Sequence, residues 1–313
     1  MYSAAARGEA YIQRLCAFIG RAYPLRPTAI APARRGYYGE TWRLDCGEGR
    51  CFLKLDRSPH QTVYARNFPV VEHLRNRGME FVSRIVKARD GRLFTQFDGG
   101  VLGVFDWIEG ENRQDESTKT REYQMLARVY TVDAAGLDLA REDFLPRAAD
   151  LFFSQWARVE DKGILALLEQ RRDAIGFNAG RLRHFARLCQ EDLTGFAITH
   201  GDAGGNVIVN GDAFYLVDWD DPWLAPPERD AWFCMQWPWA METFQAALRQ
   251  NGIGYTLRSE RLAYYCYHMY FFYLMEILDT FFALGPREGA VLEYLSEYLG
   301  GWINDNLAFA GGI

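Results

Sequence analysis

Thr199-His200-Gly201-Asp202-Ala203-Gly204-Gly205-Asn206, followed shortly by Tyr215-Leu216-Val217-Asp218-Trp219-Asp220, puts an Asp, an Asn and a second Asp on two short loops. Apolar runs flank those loops: Phe196-Ala197-Ile198 before the first, Val207-Ile208-Val209 between them, and Phe214 to Val217 before the second. Runs of that length between turn residues read as strands. An Asp alone on such a loop is most simply a turn residue bonding its own backbone. The order of acid, amide and acid suits something more specific, phosphoryl transfer from a magnesium nucleotide. There one carboxylate takes a proton from a hydroxyl, while an amide oxygen and a second carboxylate hold the metal.

In that reading Asp202 is the general base, which needs an exposed carboxylate whose neighbours fix its direction. Asn206 and Asp218 are the Mg2+ ligands; magnesium takes hard oxygen donors and keeps several waters, so few protein groups suffice beside the phosphates. His200 is expected to pack and hydrogen-bond the loop backbone. A zinc site is not expected at this loop. Asp220 is a candidate contact to the acceptor substrate, whereas Asp221 is read as a solvated turn.

Outward from the loops, the first hundred residues read mainly as strands. Arg34 to Asp45 carries Gly36 and Gly39 around a Tyr pair, and Arg50-Cys51-Phe52-Leu53-Lys54-Leu55 alternates polar with apolar. Phe81 to Val86, Arg92 to Phe97 and Val101 to Trp107 are further strand candidates. One helix, Thr62 to Arg77, interrupts them and is closed by Gly78. Two readings of Lys54 are open: a solvent-facing strand lysine, or a point charge for the α- and β-phosphates of a nucleotide. Gly36 and Gly39 either close an ordinary hairpin or let backbone amides approach phosphate.

From Glu111 the periods become helical: Thr118 to Val132, Ala148 to Trp156, Ile164 to Gln190, Glu228 to Gln250 and Ser259 to Phe282. The polar stretch Glu109 to Lys119 marks the change. The expected architecture is α+β and two-lobed: residues 1–108 a small antiparallel-sheet N-lobe with one helix, residues 109–313 a larger, mostly helical C-lobe holding the two loops.

A chain of 313 residues with 49% apolar and 24% charged residues is an ordinary globular composition. Its net charge of −6 argues against nucleic acid and anionic membranes as partners. The most apolar segment, Leu262 to Leu284, carries His268, Glu276 and Asp279, each costly in hydrocarbon, and is expected to be a buried helix rather than a span. The six scattered cysteines come with no secretory signal, so reduced thiols, a cytoplasmic location and a monomer or homodimer are expected.

The residues assembled here resemble the aminoglycoside phosphotransferase family, a branch of the kinase-like fold that includes choline kinases and a type of homoserine kinase. The specific part lies at His200 to Asn206 and Asp218 to Asp230. Within it, Leu216-Val217-Asp218-Trp219-Asp220-Asp221-Pro222-Trp223-Leu224-Ala225-Pro226-Pro227-Glu228-Arg229-Asp230 is most similar to the spectinomycin phosphotransferase branch. The resemblance implies ATP as donor, Asp202 as catalytic base, Asn206 and Asp218 as metal ligands, and Lys54 as the phosphate lysine. It further implies adenine bonding to the backbone of a connector at Phe105, Asp106, Trp107 and Ile108, with Asp230 as a structural anchor. Two departures stand out. The family pattern has four residues between base and amide, and here there are three. The helix acid that pairs with the phosphate lysine is expected near Asn67 and Phe68, and Glu72 is the nearest acid on that helix.

For the acceptor, Tyr264, Tyr265, Tyr267, Tyr270, Phe271, Phe272 and Tyr273 form an aromatic stripe that suits a helix core better than a pocket. Glu276 and Asp279, acids on that apolar helix, are the acceptor-binding candidates, which points to a cationic or amine-bearing small molecule. The rival reading is a nucleotide-binding pseudokinase with a sensor or scaffold role, for which the shortened loop and the missing helix acid speak.

Overall fold

The computed structural model describes residues 7–33, 39–58, 61–284, 288–301 and 303–313. In chain order its first elements are α1 (Glu9–Ala22), β1 (Pro27–Pro32), β2 (Gly39–Cys46), β3 (Gly49–Asp56), α2 (Gln61–Asn76), β4 (Thr95–Phe97) and β5 (Gly100–Asp106). Next come β6 (Glu111–Asn112), α3 (Glu116–Val129), β7 (Ala140–Arg141), α4 (Arg147–Trp156), α5 (Lys162–Gln170), α6 (Arg172–Gln190) and β8 (Ala197–Thr199). They are followed by β9 (Val207–Asn210), β10 (Ala213–Leu216), β11 (Trp223–Ala225), α7 (Glu228–Ala231) and α8 (Pro238–Gln250). Helices α9 (Ser259–Leu284), α10 (Glu288–Gly300) and α11 (Ile303–Gly311) complete the order. The chain divides into two compact units, Met1–Ala140 with His200–Leu224, and Arg141–Thr199 with Ala225–Ile313. The composition change at 108/109 is thus a different cut from the one the packing makes.

In the first unit the strands β1-β2-β3-β5-β4 form an antiparallel sheet. Alternation along β2 and β3 sorts their side chains by face. Trp42, Leu44, Leu53 and Leu55 turn towards Tyr11, Leu15 and Ile19 of α1 and make one buried core. Each such side chain contributes about 1.5–3 kcal/mol by leaving water. Thr41 and Lys54, paired across the two strands, take the opposite face. There Gly103, the β5 partner of Lys54, admits α2: a Cβ at Gly103 would lie 2.5 Å from Phe68 Cζ and 2.6 Å from the Tyr64 hydroxyl.

A second sheet in this unit, β10-β9-β6, carries the two loops. It is tied to the segment before β4 by the Leu216 amide, which donates to the Phe81 carbonyl at 2.9 Å, and by a parallel bridge between Val82 and Leu216. The expected strand from Phe81 to Val86 reduces to that bridge and another at Ile85 with Phe105. Strand β6 forms inside the polar stretch read as a connector, because β9 offers it an edge.

The second unit is helical, and α4, α6 and α11 pack on α9. Tyr264, Tyr265, Tyr267, Tyr270 and Phe271 are buried in its core, as the stripe predicted. Their hydroxyls find partners: Tyr265 donates to Glu142 Oε2 at 2.8 Å and Tyr264 to the Leu145 carbonyl at 3.2 Å. Among the described residues no helix is long and apolar enough to cross a membrane. Two long helical runs are broken. Ile164 to Gln190 divides at Arg171, and Glu228 to Gln250 is interrupted by a 3-10 turn before Pro238, whose missing N–H suits it to open α8.

One buried carboxylate makes this unit pH-sensitive. Glu228, at 0% exposure, accepts from the Tyr255 hydroxyl (2.9 and 3.0 Å) and the Arg258 amide (2.6 Å). Burial nevertheless pushes its carboxyl up to about 7. An unfolded Glu ionises near 4.5. The stability from this group is therefore complete below that value and lost as pH rises through about 7. Glu228→Gln, which does not titrate, is expected to gain on the parent by on the order of 3 kcal/mol between pH 4.5 and 8. Urea unfolding of both proteins across that range measures it; a constant difference means that Glu228 is ionised throughout.

Candidate active site

His200 is fully buried where β8 ends, and its ring joins the two loops. Nε2 lies 2.9 Å from the Val217 carbonyl and Nδ1 accepts the Asp202 amide at 3.2 Å. A carbonyl needs a donor and an amide needs an acceptor, so this network assigns the neutral Nε2–H tautomer. The ring also packs on Trp219, centroids 4.5 Å apart, and the Trp219 indole donates to the Leu216 carbonyl at 3.0 Å.

The Asp202 carboxylate is exposed, and the Asn206 amide nitrogen reaches both its Oδ2 (3.2 Å) and its backbone carbonyl (2.6 Å). The three-residue spacing is accommodated by a tight turn in which Gly205 and Asn206 both donate to the Ala203 carbonyl, at 2.7 and 3.0 Å. Gly205 holds φ +148, and the Asn112 side-chain amide donates to its carbonyl. On the second loop the Val217 amide donates to the Asn206 carbonyl at 2.9 Å, and Asp218 adopts φ +64. Left-handed backbone is uncommon outside Gly, and Asp and Asn are the residues that tolerate it best.

Lys54 meets this loop. Its ammonium donates to Asp218 Oδ1 at 2.8 Å and to Asp220 Oδ2. The lysine side chain is only 9% exposed, whereas those of Asp218 and Asp220 are 44% and 32% exposed. Burial pulls the ammonium down, but Asp220 and Asp218 outweigh it and hold Lys54 above the ordinary lysine value. Burial likewise lifts Asp218, and Lys54 overrides it to hold that carboxyl below the usual range. Asp220, read from the sequence as a candidate acceptor contact, bonds Lys54 here. The helix acid Glu72 is elsewhere, 2.5 Å from Lys87.

A cavity of 390 Å³ opens beside these charges, within the usual range for small-molecule sites. Phe52, Phe68, Val71, Phe105, Ile108 and Ile208 give it apolar walls, and Lys54, Asn206, Asp218 and Asp220 line it together with Asp106 and Trp107. The Asp106 amide donates to the Arg84 carbonyl (3.0 Å) and the Trp107 amide to the Arg50 carbonyl (3.1 Å). Among the described residues the Ile108 amide has no such partner. Gly39 pairs with Asp56, and a Cβ there would lie 2.7 Å from the Leu55 carbonyl oxygen; it is absent from the cavity wall. Gly36 lies outside the described residues.

The described residues hold no cluster of three His, Cys, Asp or Glu that could bind a metal unaided. The oxygen donors of Asn206 and Asp218 at the cavity fit a magnesium ion whose remaining ligands are phosphate and water. In the second unit Asp230 is buried on α7, Glu276 is buried on α9, and Asp279 accepts the Gln155 amide at 2.7 Å. Sequence reasoning missed Asn67, a buried residue between Tyr64 and Phe68 whose amide donates to the Asp220 carbonyl. A polar residue on an apolar helix face was the available signal. It also missed Asn112, which sits in the polar stretch read as a linker.

A sequence model of the phosphotransferase enzyme family matches residues 29–265. Among solved structures, a spectinomycin phosphotransferase in complex with ADP and spectinomycin is 19% identical, with a TM-score of 0.78 over 95% of this chain and 98% of that one. The microcompartment-associated aminopropanol kinase is 14% identical, with a TM-score of 0.64 over 96% of each chain. A choline kinase from Cryptosporidium parvum Iowa II is 9% identical, with a TM-score of 0.63 over 96% of this chain and 97% of that one. At these identities the likeness is one of fold, the kinase-like α+β fold expected from the sequence. No curated protein matches the chain.

Proposed function

Because the chain belongs to the phosphotransferase enzyme family, we propose that it transfers the γ-phosphoryl group of ATP to a hydroxyl of an amine-bearing small molecule. One observation carries this reading: Asn206 bonds Asp202 and, through the Val217 amide, the loop of Asp218, which in turn bonds Lys54, and Asn206, Asp218 and Lys54 share the wall of one apolar-sided cavity. The exposed Asp202 carboxylate, with Asn206 fixing one oxygen, takes the proton of the acceptor hydroxyl. Lys54 places its charge on the donor's phosphate oxygens, and the Ile108 amide donates to the adenine edge. Asn206 and Asp218 would hold Mg2+, which when bound neutralises charge on the β- and γ-phosphates. His200 holds both loops in register through its two ring nitrogens, and Asp230 anchors the region. Catalysis on this frame is mostly positioning and charge neutralisation.

The three structural neighbours are named for spectinomycin, aminopropanol and choline, all of them hydroxyl compounds bearing nitrogen. Glu276 and Asp279 are the acids we assign to an ammonium group of the acceptor. The direct test is nucleotide consumption by purified protein with magnesium, over a panel of amino sugars, cholines and hydroxy-amino acids, with ATP and GTP compared. The expected result is ATP turnover that depends on one acceptor class. Nucleotide binding without stimulation by any acceptor would favour the pseudokinase; no nucleotide binding would sink both readings.

A further inference from the structure

We propose that Asp220 is the positioning residue for Lys54, supplying from the second loop the counter-charge that α2 does not supply. The inference rests on the reading of Lys54 as the phosphate-binding lysine. A lysine that is 9% exposed needs an anion beside it. Helix α2 packs on the Lys54 face, with the Tyr64 ring 5.6 Å from the ammonium and the Tyr64 hydroxyl on the Lys54 carbonyl at 3.4 Å. Yet the polar residue that α2 directs into this region is Asn67, which is neutral, and Glu72 is committed to Lys87. Both anions on Lys54 therefore come from the loop, Asp218 and Asp220. With Asp218 holding a metal ion, Asp220 would be the charge left on the lysine.

Asn67 has a part in this arrangement. Its side-chain amide donates to the backbone carbonyl of Asp220, so α2 holds the main chain that carries the acid instead of carrying the acid itself. An Asn at this point of α2 is thus matched to an Asp two residues beyond the proposed metal ligand. The pairing makes a reciprocal exchange meaningful: charge removed at 220 can be returned at 67.

The experiment compares Asp220→Asn, Asp220→Glu and the double variant Asn67→Glu/Asp220→Asn with the parent. ADP affinity is measured by calorimetry without magnesium, and kcat and KM for ATP with it. Asp220→Asn is expected to weaken ADP binding and raise KM for ATP about tenfold, the effect of one charged hydrogen bond, with a smaller change in kcat. Asp220→Glu keeps the charge and stays within about threefold of the parent. The double variant recovers at least half of the loss on a logarithmic scale. Unchanged ADP affinity in Asp220→Asn, or an Asp220→Glu that binds ADP as weakly as Asp220→Asn, overturns the proposal while leaving the kinase reading in place. If Asp220→Asn does not fold, the double variant and Asp220→Glu decide, since a merely structural acid at 220 is not replaced by one on α2. A parent protein that binds no nucleotide fails both this proposal and the reading beneath it.

Discussion

Asp202→Asn is expected to lower acceptor phosphorylation by about 10²–10⁴-fold and to leave nucleotide affinity nearly unchanged. Asn has the shape of Asp and retains an oxygen facing the Asn206 amide, 3.2 Å away in the parent. The loop is thus preserved while the proton acceptor is lost. Asp202 is exposed and the Lys54 ammonium bonds Asp218 and Asp220, so replacing Asp202 leaves those pairs in place. Single-turnover phosphorylation beside ADP binding separates the two effects. A variant within tenfold of the parent would remove Asp202 from the base role, and a parallel loss of ADP affinity would recast it as structural.

The largest stability effect is expected at Gly110. It precedes β6 with φ +138, where a side chain is strained, and a Cβ there would run into the Val209 carbonyl and lie 2.9 Å from Ile208 Cγ2. Neither obstacle is the end of a flexible side chain, because Glu111 and Asn112 are paired with Val209 and Ile208 in the sheet. Gly110→Ala must therefore give up that pairing, and with it the Asn112 bond to the Gly205 carbonyl. A cost above ~3 kcal/mol is expected, from strain and lost ladder bonds together. Gly136 is the internal comparison: it has φ +82 but nothing within 4 Å of a Cβ, so Gly136→Ala carries the backbone term alone, about 1 kcal/mol. Urea unfolding of the two variants gives the difference. Equal shifts would show that β6 yields freely to the added methyl.

What the sequence made legible follows from the range of the interactions involved. Helix α2 was expected at Thr62 to Arg77 and spans Gln61–Asn76, and the strands around the loops lie within a residue or two of their apolar runs. These are local signals. Strand β1 went unread because Pro27 and Pro32 look like breakers, yet it is a sheet edge, where a missing N–H costs nothing. Helices α10 and α11 were passed over, for their glycines and scattered apolar residues give no clear helical stripe. At the cavity, the loop residues were singled out by type and order, and Lys54 through the family resemblance; Lys54, Asn206, Asp218 and Asp220 share its wall. The partner of Lys54 was not legible: the sequence points to α2, whereas the charge comes from a loop more than a hundred residues later that only the folded chain brings close.

The first unit is assembled from two stretches of chain with the whole of 141–199 between them. Both carboxylates that meet Lys54 on the cavity wall, Asp218 and Asp220, are on the later stretch. On a ribosome, then, the early sheet, α1 and α2 emerge with Lys54 already on β3 but with no anion to meet it. Val82 likewise waits for Leu216. A nascent chain holds part of the cavity wall through the synthesis of another unit's helices, so a ligand of this cavity cannot assist the first steps of its folding. Binding can begin to stabilise this protein only after the second loop has been made.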